Sequence, residues 1–250
     1  ALTIDPNLAE AHSWLAVWEA ENGGDLVESA RRLQDALKLE PNNYIVISHA
    51  AGFLATLGRL DETIAIQKYL LTLDPLNPID HSNLAWNYLA AGKSDEAIAT
   101  VSTLQVLSPD YGRIYSLLGS ALLQKGHLEE ALEAMQQEPE ESSRLFGLVM
   151  IYHASGEAVL SDAALSEYIE KYGQDHPGRV SSLLAYRGEI SRSLDWLDKA
   201  VAEENPPDWI DDCIWIGNLC NDPRWIRIRE SVGRSPAQLN AIDFKVALPE

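Results

Sequence analysis

Apolar residues in this chain return every three or four positions, in short runs that stop at regular places. That period belongs to amphipathic helices, not strands. One run holds Leu84, Trp86, Tyr88 and Leu89, and the next holds Ala97, Ile98, Val101 and Leu104. The stops are Gly and Pro. Gly58, Gly92 and Gly126 open GRLDE, GKSDE and GHLEE, and Gly58 and Gly92 each stand 17 residues before a Pro. Pro41, Pro75 and Pro109 are 34 residues apart, and Pro6 precedes Pro41 by 35, with Gly23-Gly24 supplying the extra residue.

The repeating unit is therefore a pair of helices. Gly ends the first, where a left-handed residue closes a helix most easily without a Cβ. Pro ends the second, because it cannot continue the hydrogen-bond ladder. Asn after Pro suits capping of the next unit. Small residues recur in register: Ala85 and Gly119 at one first-helix position, Ala97 and Ala131 at one second-helix position. Helices approach closely there. Acidic pairs recur too, at Asp61-Glu62, Asp95-Glu96 and Glu129-Glu130, in the first turn of each second helix, where the helix dipole favours them without any catalytic role.

This pattern resembles the tetratricopeptide repeat family over Leu8 to Gln137, through Leu84, Ala85, Tyr88, Gly92, Ala97, Leu104 and Pro109 in one unit and Tyr115, Leu118, Gly119, Gly126 and Ala131 in the next. Thr63 stands where the family usually has Ala. The resemblance implies an all-α fold, a right-handed superhelical solenoid of antiparallel helix pairs. After Gln137 the register slips: Glu138-Pro139 arrives four residues early, so a short second helix is expected before it. A fifth unit is traced as Leu145 to His153, Gly156, and Asp162 to Tyr172; a sixth as Arg179 to Arg187, Gly188, and Ile190 to Ala202.

About six helix pairs thus occupy residues 1–207, with Ala1 to Pro6 read as the tail of a truncated repeat, and a C-terminal helical cap is expected over 208–250. In that cap Pro223 and Pro236 read as helix starts, and Trp209, Ile210, Ile214, Trp215, Ile216 and Leu219 as an apolar cluster. This end, with Arg187 to Ile190 upstream, resembles the end-cap of bacterial repeat arrays attached to signalling or regulatory modules. The Ala1 to Pro6 tail makes a fragment of a larger protein the expectation, and two cysteines with no signal-peptide pattern make it a cytoplasmic one.

Composition then narrows the function. Nineteen Lys and Arg against 38 Asp and Glu give a net charge of −19. Such a field repels nucleic acid and favours a basic partner. Two cysteines, Cys213 and Cys220, make neither a disulfide framework nor a zinc site. The longest apolar run, near Leu145 to Tyr152, is too short to span a bilayer, so no membrane insertion is expected. No nucleophile elbow, phosphate loop or HExxH motif occurs, so neither enzyme chemistry nor a cofactor or metal is expected. His12 and His81 hold equivalent positions and read as packing residues, while Asp211-Asp212 and Glu138 to Glu141 read as solvated loop charges.

The remaining function class is protein or peptide interaction. In the resembled family, first-helix residues line a concave groove. The equivalent residues here include Trp14, Val17, His49, Asn83, Trp86, Arg113, Ser116, Ser120 and Gln124, together with Ser13, Ser48 and Gly52. The resemblance implies that Asn83 holds a peptide backbone, since an amide both donates and accepts. A solvated Asn on a helix face is the alternative. The family's cationic carboxylate clamp is missing, with Ser13, Val17, His49 and Ile79 in its places. A structural spacer, a homodimerisation array, or a substrate-reading arm of a catalytic domain outside this chain are the competing readings.

Overall fold

In the computed structural model, which describes residues 5–202, 219 and 222–248, every regular element is a helix. Two compact units form. The first holds residues 5–75, 201–202 and 223–248, and the second holds 76–200, 219 and 222.

In the first unit, α1 (Ala9–Glu21) pairs with α2 (Leu26–Leu39) and α3 (Tyr44–Thr56) with α4 (Leu60–Leu73). In the second, α5 (Pro78–Ala90) pairs with α6 (Ser94–Leu107), α7 (Ile114–Gln124) with α8 (Leu128–Gln136), and α9 (Glu141–Ala154) with α10 (Ala158–Tyr172). A sixth pair, α11 (Pro177–Tyr186) and α12 (Ile190–Ala202), completes the array. First helices stack on first helices, α1 on α3, then α5 on α7, α7 on α9 and α9 on α11, as expected of a helical solenoid. The short helix expected before Glu138 is α8, of 9 residues.

The turns form for the reasons visible in the chain. Gly23, Gly58, Gly92, Gly126, Gly156 and Gly188 all have φ between 69° and 78°. The next amide returns to the carbonyl five residues back, as from Lys93 to Tyr88 and from His127 to Leu122. Asp25, Asn43 and Asn77 cap α2, α3 and α5 by accepting the amides of Val27, Ile45 and Ile79.

Close packing follows the small residues. Ala97 and Ala131 are fully buried, five residues past their turn glycines. Thr63, Ser161 and Ser193 hold the same place, also fully buried. Their hydroxyls donate to the carbonyls of Ala51, Val149 and Ser181, each twelve residues back on the partner helix, at 3.3, 2.9 and 2.8 Å. Where the family's Ala is replaced, the added oxygen is bonded rather than left unpaired in the core.

The end of the chain adds α13 (Pro223–Ser231) and α14 (Pro236–Asn240), the second opened by a capping box between Ser235 and Gln238. Both expected Pro starts hold. Trp225 in α13 is fully buried, and Leu239 and Phe244 join the core formed by α1–α4. Arg234 donates to the Ala20 carbonyl at 2.6 Å, placing a cation at the negative end of α1. Cys213, Cys220 and the cluster from Trp209 to Ile216 lie outside the described residues.

One reading of loop charges needs correction. Glu138 is only 1% exposed, and its carboxylate accepts the amides of Ser116 (2.8 Å) and Glu140 (3.1 Å). Glu140 caps α9 by accepting from Ser142 and Ser143. Glu141 begins that helix and holds Lys171 and Tyr172, at 2.9 and 2.7 Å. Acids adjacent to Pro139 are helix caps because helix starts need acceptors. Burial raises the Glu140 carboxyl, but the bonds from Ser142 and Ser143 outweigh it and lower its pKa to about 2. A folded pKa below the unfolded value stabilises the chain above the ordinary carboxylate range, and that contribution disappears as pH falls toward 2. Glu140→Gln is therefore expected to show a shallower loss of melting temperature than the unaltered chain between pH 5 and pH 2. Parallel melting curves across that window would refute the assignment.

Candidate functional site

Asn77 and Pro78 fix the start of α5, and that start sets which side chains its two faces carry. Leu84, Ala85, Tyr88 and Leu89 turn inward and are buried. Ile79, Asn83 and Trp86 follow at i, i+4 and i+7, so they share the other face. Ile79 is 57% and Trp86 42% exposed, with Asn83 half-buried between them. The Asn83 carbonyl accepts from the Asn87 amide at 2.8 Å, while its own side-chain amide bonds no other group among the described residues. The Arg113 guanidinium, at the start of α7, lies over the Trp86 ring, 5.7 Å from its centroid. No carboxylate pairs with it among the described residues. An unused amide, an exposed apolar pair and an unpaired cation thus occupy one surface of the second unit.

The other candidates on α7 divide. Ser120 is half-buried on the same helix. Ser116 spends its amide on Glu138, and its hydroxyl donates to the Arg113 carbonyl at 3.1 Å. Gln124 is a bracket: it donates to the Leu89 carbonyl at 3.0 Å and accepts from the Ser94 hydroxyl at 2.7 Å, tying α7 to the turn between α5 and α6. Its amide is committed to the fold. Ile79 was passed over in the sequence because it interrupts a cationic pattern. Its signal was the helical spacing to Asn83.

In the first unit, Trp14 is 59% exposed on α1 and meets the His49 ring edge-on, with centroids 4.3 Å apart. Ser13, fully buried, shares a hydrogen bond of 2.9 Å with His49 Nδ1. Burial lowers the His49 pKa, opposed by the charge of Glu10. Val17 is half-buried on α1. Trp18, 62% exposed one turn beyond Trp14, is a further apolar residue on α1. Gly52 is exposed, and a side chain there would meet open space.

Neither unit gathers the groups of a metal site: no cluster of three or more His, Cys, Asp or Glu occurs among the described residues. No helix among them is long and apolar enough to cross a membrane. Paired helices, glycine turns and small residues at the close contacts are all in place over α5–α8, and residues 82–144 match the family model described as tetratricopeptide repeat. The array is also similar to a tetratricopeptide repeat protein from Parabacteroides merdae ATCC 43184, at 17% identity over 94% of this chain and 97% of that one, with a TM-score of 0.52. A chain of the APC/C hetero-tetramer Cut9–Hcn1 is similar at 13% identity over 91% of this chain and 45% of that one, with a TM-score of 0.51. At such identities the likeness is one of fold. No curated protein matches.

Proposed function

We propose that this chain is a protein-interaction module that holds an extended peptide or a helix on the exposed face of α5, through Asn83, Trp86 and Arg113. The observation that carries the reading is the unused Asn83 amide between two exposed apolar side chains. An amide free to give and take a hydrogen bond recognises backbone whatever the side chain, and the apolar neighbours supply contact area. Arg113 offers a planar donor to a carboxylate on the partner, while the net charge of −19 favours basic flanking residues. Trp14, supported by His49, is the corresponding anchor on the first unit. Ser120 borders the α5 surface, and Gln124 and Ser116 serve it indirectly by fixing α7. The setting proposed is a larger bacterial signalling or regulatory protein of the cytoplasm, supported by the likeness of the C-terminal end to arrays of that kind.

Peptides selected from a random library on the intact chain test the reading. Affinities of order micromolar are expected, because ordering a peptide offsets much of its contact energy. The double substitution Asn83→Ala, Trp86→Ala should weaken the selected peptides by about 30-fold or more, as removal of a hot-spot aromatic does, with helicity unchanged. Unaltered affinity would remove the site.

A further inference from the structure

Residues 242–248 lie extended on the first unit. Ile242, Val246 and Leu248 are partly buried against the α1–α4 core and Phe244 is buried in it, while Asp243, Lys245 and Ala247 between them are exposed. That alternation is the mark of a strand-like segment seated by every second side chain. The Phe244 ring meets Phe53 of α3 edge-on, with centroids 5.1 Å apart. The backbone is held as well. Arg59, at the start of α4, donates to the Phe244 carbonyl. The Gln34 amide on α2 donates to the Lys245 carbonyl at 3.3 Å and accepts the Lys245 amide at 3.4 Å. A primary amide that gives to and takes from one residue reads main chain alone. Side-chain seats at alternate positions with main-chain bonds between them are a general mode of recognising extended peptides. None of these contacts requires the segment to be joined to the helices it lies on.

We infer that the groove walled by Gln34, Phe53 and Arg59 is a second peptide-recognition site, separate from the α5 surface. The chain's own residues 242–248 fill it in cis as an exchangeable strap. Its ligand class is an extended segment with apolar residues at alternate positions and a large aromatic at the Phe244 seat. A tethered segment is presented at an effective concentration of about millimolar, so an added peptide of the same kind competes poorly until the strap is weakened.

The test uses the full chain and a fluorescent peptide of residues 240–248, followed by anisotropy. Phe244→Ala in the full chain should bind the peptide at least about tenfold more tightly than the unaltered chain, as removal of a tethered competitor implies. Adding Gln34→Ala should reduce that binding, and a peptide with Ala in place of its Phe should not bind. Equal binding by the two chains, or none by a Phe244→Ala chain of unchanged helicity, overturns the inference. Should Phe244→Ala lose helicity, Lys245→Pro removes the amide that Gln34 accepts while keeping the apolar seats filled in the peptide's sequence. The same gain is then expected, and its absence is equally decisive.

Discussion

Replacing Glu138 by Ala is expected to cost about 3 kcal/mol, since two hydrogen bonds to a charged acceptor are lost and each is worth about 1.5 kcal/mol or more. Helix α7 has Arg113 at its N-cap position, which supplies no side-chain acceptor. The missing acceptor comes from Glu138, 22 residues beyond Ser116 in the chain, and its second oxygen takes the Glu140 amide. The Glu138 carbonyl meanwhile accepts from Arg144 at 2.7 Å. One side chain therefore caps the start of the fourth repeat's first helix and braces the turn that leads into the fifth repeat. At 1% exposure the carboxylate is shielded from bulk water, and truncation takes from the Ser116 and Glu140 amides the acceptor they share. Urea unfolding followed by circular dichroism measures the loss. Because the chain has two units, the transition to follow is the one that involves α7 and α9. A cost below about 0.5 kcal/mol, typical of a surface change, would mean that Glu138 is not a structural cap.

Gly147→Ala is expected to cost about 1–3 kcal/mol by overpacking, although a single methyl group is added. A Cβ at Gly147 would stand 2.2 Å from Met135 Cε, 2.5 Å from its Sδ and 2.8 Å from its Cγ. A methionine end usually swings aside. Here a Cβ at Gly119 would also meet Met135 Cε, at 2.8 Å, so the side chain lies between two helices that each leave it room only through a glycine. Met135 is 2% exposed. The diagnostic result is non-additive: in a Met135→Ala background the same substitution should cost less, or stabilise by filling the space vacated. Equal costs in both backgrounds would show that α8 and α9 adjust independently of Met135.

These two cases mark where the sequence was readable and where it was not. Gly119 was visible as a small residue because it repeats Ala85 at the family spacing. Gly147 does not repeat anything, since the fifth unit is out of register, and its role comes from a neighbour's shape. The turn glycines and the second-helix acids follow from local chemistry, so periodicity alone carries them. The fifth unit's helices instead begin at Glu141 and Ala158, four residues before the Leu145 and Asp162 that the apolar spacing gives, because polar first turns carry no apolar signal. Glu138 was misread because an acid beside Pro ordinarily faces water, and its burial depends on amides from two other helices. The site shows the same division. The spacing of Ile79, Asn83 and Trp86 is local. The stacking of Arg113 on Trp86, and the commitment of Gln124 to Leu89 and Ser94, are not. The strap on the first unit was least visible of all, because Gln34 and Lys245 are 211 residues apart and no periodic pattern links them.

Peptide recognition on the exposed face of α5 is tested most directly by the indole N–H resonances of the seven tryptophans, recorded as a selected peptide is added. The Trp86 resonance should move in proportion to saturation, and that of the fully buried Trp225 should stay fixed. A saturable peptide that leaves the Trp86 indole in place would show that α5 is not where this protein holds its partner.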